Sequence, residues 1–306
     1  MANYITTSSL NLRKQPQIIA GNVLCVMPPD TIVEEINASI QDDFKQIKTV
    51  LNNNFIEGFA SQKYLQPTTS PLPSIEETSL QIPPVHYPPG NRIINRNGTS
   101  RVFPLNEQGL IKFDLKTESD IEKRKKKIQD VIEYLDVEHS ARYAPDSTST
   151  FCNIYAYDVA YCLSAYLPRV WWTPDSIIKL KNQEDVAIQY DKTVTELTAN
   201  RISDWFDKFG LSFGWHRLFD LNTFQDEVNK GQLGILVAQR INLNNPGHIV
   251  AVVPETPTNA VKRINGQVIA PLQSQAGRIN KKYFAANTWW EDKTRFKKFS
   301  FWLWKL

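Results

Sequence analysis

Three cysteines (Cys25, Cys152, Cys162) and four histidines (His86, His139, His216, His248) are the side chains from which a nucleophile and its base can be drawn. Cys25 stands in the apolar run Val23-Leu24-Cys25-Val26, and Cys162 sits ten residues into an apolar helical pattern. Free cysteine in such surroundings packs as a small hydrophobe. Cys152 differs. It follows the polar run Pro145-Asp146-Ser147-Thr148-Ser149-Thr150 and precedes Ile154, Val159, Leu163 and Leu167 at helical spacing, which predicts a helix beginning at Cys152. The unpaired N–H groups and positive dipole end there favour a thiolate and can hold a developing oxyanion. A free thiol titrates near about 8.5 and only the thiolate attacks well, so this placement matters.

The base is sought among the histidines. His86 before a proline pair, His139 beside Glu138 at a helix end, and His216 after Gly214-Trp215 all read as structural. His248 lies in Asn245-Pro246-Gly247-His248-Ile249-Val250-Ala251-Val252-Val253, where a turn delivers it to the first position of a buried strand. A catalytic imidazole needs a third group to hold its tautomer and plane. The run 266–275 is expected to form a strand antiparallel to that of His248, with its far end returning beside it. Gln275 and Gln273 are the candidates for the third group.

The elements that position these groups follow from the rest of the chain. Its 306 residues suggest two domains, and 42% hydrophobic with 22% charged residues is globular composition. With 35 Lys and Arg against 32 Asp and Glu, a net charge of +3 argues for no nucleic-acid partner. The run Lys123-Arg124-Lys125-Lys126-Lys127 is read as the wet face of an amphipathic helix over 118–135. An odd cysteine count without a C-x-x-C pair suggests neither a disulfide framework nor a zinc site, and no cofactor is expected. The chain begins without a signal-peptide pattern and contains no run of about 18 apolar residues, so no transmembrane segment is expected. Residues 1–66 alternate in short runs separated by turn signals, the pattern of a small β-barrel. Residues 67–94, with seven of the 18 prolines between Pro67 and Gly90, read as an extended linker whose tail, Val85-His86-Tyr87, is open to either side. In 95–306 helices are expected over 153–167, 199–209 and 218–230, followed by strands over 234–239, 248–253, 268–272 and 299–304. That order is α+β with an antiparallel sheet. The pairs Trp171-Trp172 and Trp289-Trp290 read first as packing, with sugar stacking as the alternative.

Two resemblances extend this reading. Ser9-Leu10-Asn11-Leu12-Arg13, Pro28-Pro29-Asp30-Thr31-Ile32-Val33 and Ile56-Glu57-Gly58-Phe59-Ala60-Ser61-Gln62-Lys63-Tyr64-Leu65 together resemble a bacterial SH3 domain, although Lys14-Gln15-Pro16 departs from the usual G-P loop. The resemblance implies wall anchoring, with Phe59 and Tyr64 lining a peptide groove or filling the barrel core. Thr150-Phe151-Cys152-Asn153-Ile154-Tyr155-Ala156-Tyr157-Asp158-Val159, Gly214-Trp215, Gly247-His248-Ile249-Val250 and Gln275-Ala276-Gly277 resemble the NlpC-like and CHAP-like peptidoglycan peptidases and amidases, which have a papain-like fold. That resemblance implies Cys152 as nucleophile, His248 as base and Gln275 as orienter. It offers Tyr143 to the oxyanion hole or to the core, and Asn153 and Asp158 as scaffolding. The resulting expectation is a peptidoglycan amide hydrolase made in a bacterial cytoplasm and acting at the wall after non-classical export or lysis. A protein-directed protease or deamidase, and a non-catalytic wall-binding protein, are its rivals.

Overall fold

The computed structural model describes residues 2–19, 21–41, 43–51, 54–73 and 82–306. The chain divides into two compact units, Met1–Gln81 and Ile82–Leu306.

Among its described residues the first unit carries seven strands: β1 (Asn3–Thr6), β2 (Leu10–Arg13), β3 (Val23–Met27), β4 (Ile32–Gln41), β5 (Phe44–Leu51), β6 (Asn54–Ser61) and β7 (Leu65–Thr68). They form one antiparallel sheet in the order β3-β2-β6-β5-β4-β1-β7. Alternation drives it, with Leu10, Leu12, Val33, Ile47, Ile56 and Ala60 turned into a core of their own. Gly58 is required by close approach, because a Cβ there would stand 2.6 Å from the Arg13 carbonyl. The sheet runs to Thr68, past the expected boundary at 66.

The linker expectation changes at its other end too. Residues 74–81 lie outside the described residues, and from Ile82 onward the chain belongs to the second unit. Ile82, Val85 and Ile94 are buried in that unit's main core. Val85 donates its N–H to the Tyr166 hydroxyl at 2.7 Å. The prolines therefore bring extended chain onto a surface, where apolar side chains between them find partners.

The second unit is α+β. Helices α1 (Ile121–Leu135) and α2 (Cys152–Cys162) come first, then β8 (Val170–Trp172), α3 (Pro174–Lys181), β9 (Val194–Glu196), α4 (Ala199–Trp205), β10 (Trp215–Leu218) and α5 (Leu221–Asn229). The strands β11 (Leu233–Arg240), β12 (His248–Val252), β13 (Lys262–Ile264), β14 (Gln267–Ala270), β15 (Gln273–Gln275), β16 (Lys281–Phe284) and β17 (Phe296–Trp304) follow. Six of them make an antiparallel sheet in the order β10-β17-β11-β12-β15-β16. Alternate residues of its central strands enter different cores: Ile235, Val237, Ile249 and Ala251 join α1, α2 and α4, while Leu236, Ala238, Val250 and Val252 meet Phe224 and Val228 of α5. Burial on both faces explains why β11 and β12 read as nearly continuous apolar runs.

Three local expectations are corrected. Helix α2 stops at Cys162 rather than 167, because Ser164 adopts a left-handed φ of 57°. The chain after α4 widens into a π turn over Phe206–Gly210 instead of continuing as regular helix. The run 266–275 is two strands broken at Pro271, of which β14 pairs with β13 and only β15 pairs with β12. Among the described residues, no helix is long and apolar enough to cross a membrane. The basic run on α1 is largely neutralised by its neighbourhood, with Lys125 on Glu122, Lys126 on Asp130 and Lys127 on Glu118.

Candidate active site

Cys152 is the first residue of α2, as its surroundings in the sequence predict. Its N-cap, Phe151, offers no side-chain hydrogen bond, so the first N–H groups of the helix are not claimed by a cap. Backbone N–H groups of Ile249, Asn153 and Cys152 itself point at the sulfur. Burial nevertheless dominates, and the thiol is pushed up from its ordinary range because the three donors offset desolvation only in part. At 4% exposure the thiol is neutral and protected at rest.

The Ile249 donor joins the two halves of the site, since Ile249 follows His248 at the start of β12. The approach to His248 is built by the turn after β11. Asn200 of α4 holds that turn, donating from Nδ2 to the Asn245 carbonyl at 2.9 Å and accepting from the Arg240 N–H at 2.9 Å. Gly247 passes so close that a Cβ would stand 2.5 Å from Asn200 Oδ1 and 2.8 Å from the Ala238 carbonyl. The glycine is needed there for space.

His248 Nε2 lies 2.7 Å from Gln275 Oε1. Gln275 donates from Nε2 to the Ile279 carbonyl at 3.1 Å, which turns its oxygen toward the ring. An amide oxygen only accepts, so His248 carries its proton on Nε2 and leaves Nδ1 as a free base. Burial lowers the imidazole from its ordinary 6.5 to about 4, opposed by the Gln275 hydrogen bond and aided by the charges of Arg240 and Arg295. The imidazole is therefore neutral at pH 7, matched to a neutral thiol.

Of the two glutamines, Gln275 holds the ring. Gln273 is fully buried and accepts from Trp289 Nε1 at 2.8 Å. Trp289 packs edge-on against His248 with ring centroids 4.6 Å apart, so Gln273 braces the imidazole at one remove. The tryptophan pairs thus divide, with Trp171, Trp172 and Trp290 buried in packing and Trp289 beside the imidazole. Sequence reasoning singled out the pair without separating its members, and no spacing signal would have done so.

A cavity of about 570 Å³ opens at this point, with His248, Gln275, Trp289 and Phe296 among its walls. Cys152 is buried and is not part of the lining. Tyr143 is moved out of the site altogether. It is fully buried and donates its hydroxyl to Asp158 at 2.9 Å, which makes it core support and no part of the cavity wall. Asp158 also takes both arms of the buried Arg142, at 2.6 and 3.2 Å. Asn153 donates from Nδ2 to the Leu197 carbonyl at 2.9 Å. These contacts fix α2 in place, as scaffolding should. A hydrogen bond of 2.6 Å between Tyr155 and Ser274 then ties α2 to β15, setting the depth of Cys152 against Gln275.

The other candidates stand elsewhere. Cys162 is buried at the end of α2 and Cys25 is half-buried on β3. His139 pairs with Asp136 on the surface, and His86 packs edge-on against Tyr166. Phe59 is half-buried on β6 of the first unit, and Tyr64 is 39% exposed there with Lys63 over its ring. Among the described residues, no group of three or more His, Cys, Asp or Glu is placed to hold a metal.

No protein-family model matches the chain. No curated protein matches it either.

Proposed function

We propose that the chain is a peptidoglycan hydrolase in which Cys152 attacks an amide carbonyl with His248 as base and Gln275 as orienter. The observation that carries this reading is the junction at β12, where the Ile249 N–H reaches the Cys152 sulfur while the preceding His248 is held through Nε2 by Gln275. His248 Nδ1 takes the thiol proton as sulfur bonds to the carbonyl carbon, and N–H groups at the start of α2 receive the oxyanion. Collapse expels the amine, which takes the proton from His248. Water, deprotonated by the same imidazole, then releases the acid and restores the thiol. The finer architecture belongs to this proposal as well: a papain-like second unit, with the seven-stranded first unit acting as an SH3-like wall-binding module. So does action at the wall or outside the cell of a bacterium.

The buried, unlined position of Cys152 favours one second reading, a wall-binding protein that has lost turnover. Digestion of purified sacculi by the full chain, with products identified by mass, separates the two. Soluble muropeptides with new amine or carboxylate ends support hydrolysis, provided that the Cys152→Ser protein releases none. New reducing ends alone refute amide cleavage.

A further inference from the structure

Four cations face the cavity beside His248: Arg240, Arg278, Lys281 and Arg295. Its walls contain no carboxylate. Among the described residues, Arg240, Arg278 and Lys281 enter no ion pair, and Arg295 reaches Asp292 only at 4.0 Å. Some other cations of this unit are matched, as in Arg263 on Glu255 at 2.7 Å and Lys298 between Asp204 and Asp207. What sets this group apart is that its four members face one cavity without a carboxylate in its walls.

Its geometry is also ordered. Arg240 and Arg295 both stand over the ring of Phe296, with guanidinium carbons 4.7 and 5.6 Å from its centroid. Arg240 is tethered further by its Nε donating to the Pro246 carbonyl at 2.9 Å, two residues before His248. Two like charges brought to one ring repel each other, Asp292 offsets part of that charge, and the field of both arginines also falls on His248. Arg278 is fastened by donation to the Asp146 carbonyl at 2.6 Å. Guanidiniums with unclaimed donors match the fork geometry of a carboxylate.

We infer that Arg240 and Arg295 form a carboxylate subsite beside His248, so that the substrate is a peptide bearing a free carboxylate close to the bond presented to Cys152. This rests on the hydrolase reading for what is cut, but not for what is bound. An anion seated there cancels the repulsion between the two guanidiniums, and it orients the neighbouring amide against the imidazole wall formed with Trp289.

The test is direct binding to the full-length Cys152→Ser protein, which removes turnover from the measurement. N-acetyl-alanyl-glutamate and its neutral isostere N-acetyl-alanyl-glutamine are titrated by calorimetry. The acid should bind roughly tenfold or more tightly, the worth of a charge-assisted pair. That advantage should vanish in Arg295→Gln and in Arg240→Gln, and should be only partly kept in Arg240→Lys, which retains charge without the fork. Arg295 is 54% exposed on its side chain, so its variant tests the subsite without threatening the core. Equal binding of acid and amide overturns the inference, as does inorganic phosphate competing as well as the acid, since that would mark unspecific anion capture. Failure of wild-type turnover on sacculi refutes the hydrolase and leaves this binding result standing.

Discussion

The backbone N–H of Ile249, the residue after His248 on β12, faces the sulfur of Cys152 and favours its thiolate. A helix start and a strand, 97 positions apart in numbering from 152 to 249, thereby meet at one point. Burial raises the thiol and lowers the imidazole, so both rest neutral, and in the proposed mechanism proton transfer would accompany attack.

Cys152→Ser should keep the fold and abolish release of muropeptides, because the hydroxyl cannot be deprotonated by an imidazole this weakly basic. Cys162→Ser and Cys25→Ser should cost stability at most. The check is turnover per folded molecule for all three variants, and wild-type rates from folded Cys152→Ser would refute the nucleophile.

Gln275 and Gln273 should fail differently. Gln275→Ala removes the hydrogen bond on His248 Nε2 and should cost about 1 kcal/mol of transition-state stabilisation, about fivefold in rate. Gln273→Ala leaves the Trp289 indole unpaired and should appear mainly as a loss of stability of about 1–3 kcal/mol. Denaturant melts and kcat measured on the same preparations separate the two. His248→Ala should cost about a thousandfold or more, well beyond either.

The acid limb of kcat/KM should fall well below the ordinary histidine value of 6.5, toward about 4. The sign for stability is the same. The unfolded chain takes up the His248 proton near 6.5 and the folded one only near 4, so stability is complete above 6.5 and falls as pH drops through that window. Denaturant midpoints for wild type and His248→Gln at pH 7 and 4.5 check this, and the variant should lose less on acidification.

Asp158→Ala should be strongly destabilising, by about 3–5 kcal/mol, because it strands the Arg142 guanidinium in a site where both side chains are fully buried. Tyr143→Phe should cost about 1 kcal/mol, one hydrogen bond, and leave kcat intact. A large drop in kcat with unchanged stability would return Tyr143 to the catalytic machinery.

The fragment from Ile82 to Leu306 holds every residue of the candidate site. It should cleave small soluble muropeptides as the full chain does and act poorly on sacculi. Equal activity of both on sacculi would remove wall tethering from the first unit, whose Phe59 and Tyr64 carry that expectation.

What the residues determine by themselves is local. Polar turn followed by helical apolar spacing is enough to start a helix at Cys152, and Pro246-Gly247 before a β-branched run is enough to open a strand at His248. Alternation alone delineates the short strands of the first unit. Tertiary structure decided the relations between distant side chains. Gln275 rather than Gln273 meets the imidazole because Pro271 breaks the preceding run and β15 alone pairs with β12, a choice set by sheet register. Tyr143 went to the core because Asp158 and Arg142, both buried, demanded its hydroxyl. The linker shrank because Ile82 and Val85 found apolar partners that sequence periodicity does not announce. The gathering of Arg240 and Arg295 over Phe296 was hidden for the same reason: a net charge near zero says nothing about where like charges converge, and only packing brings the end of β11 beside the start of β17.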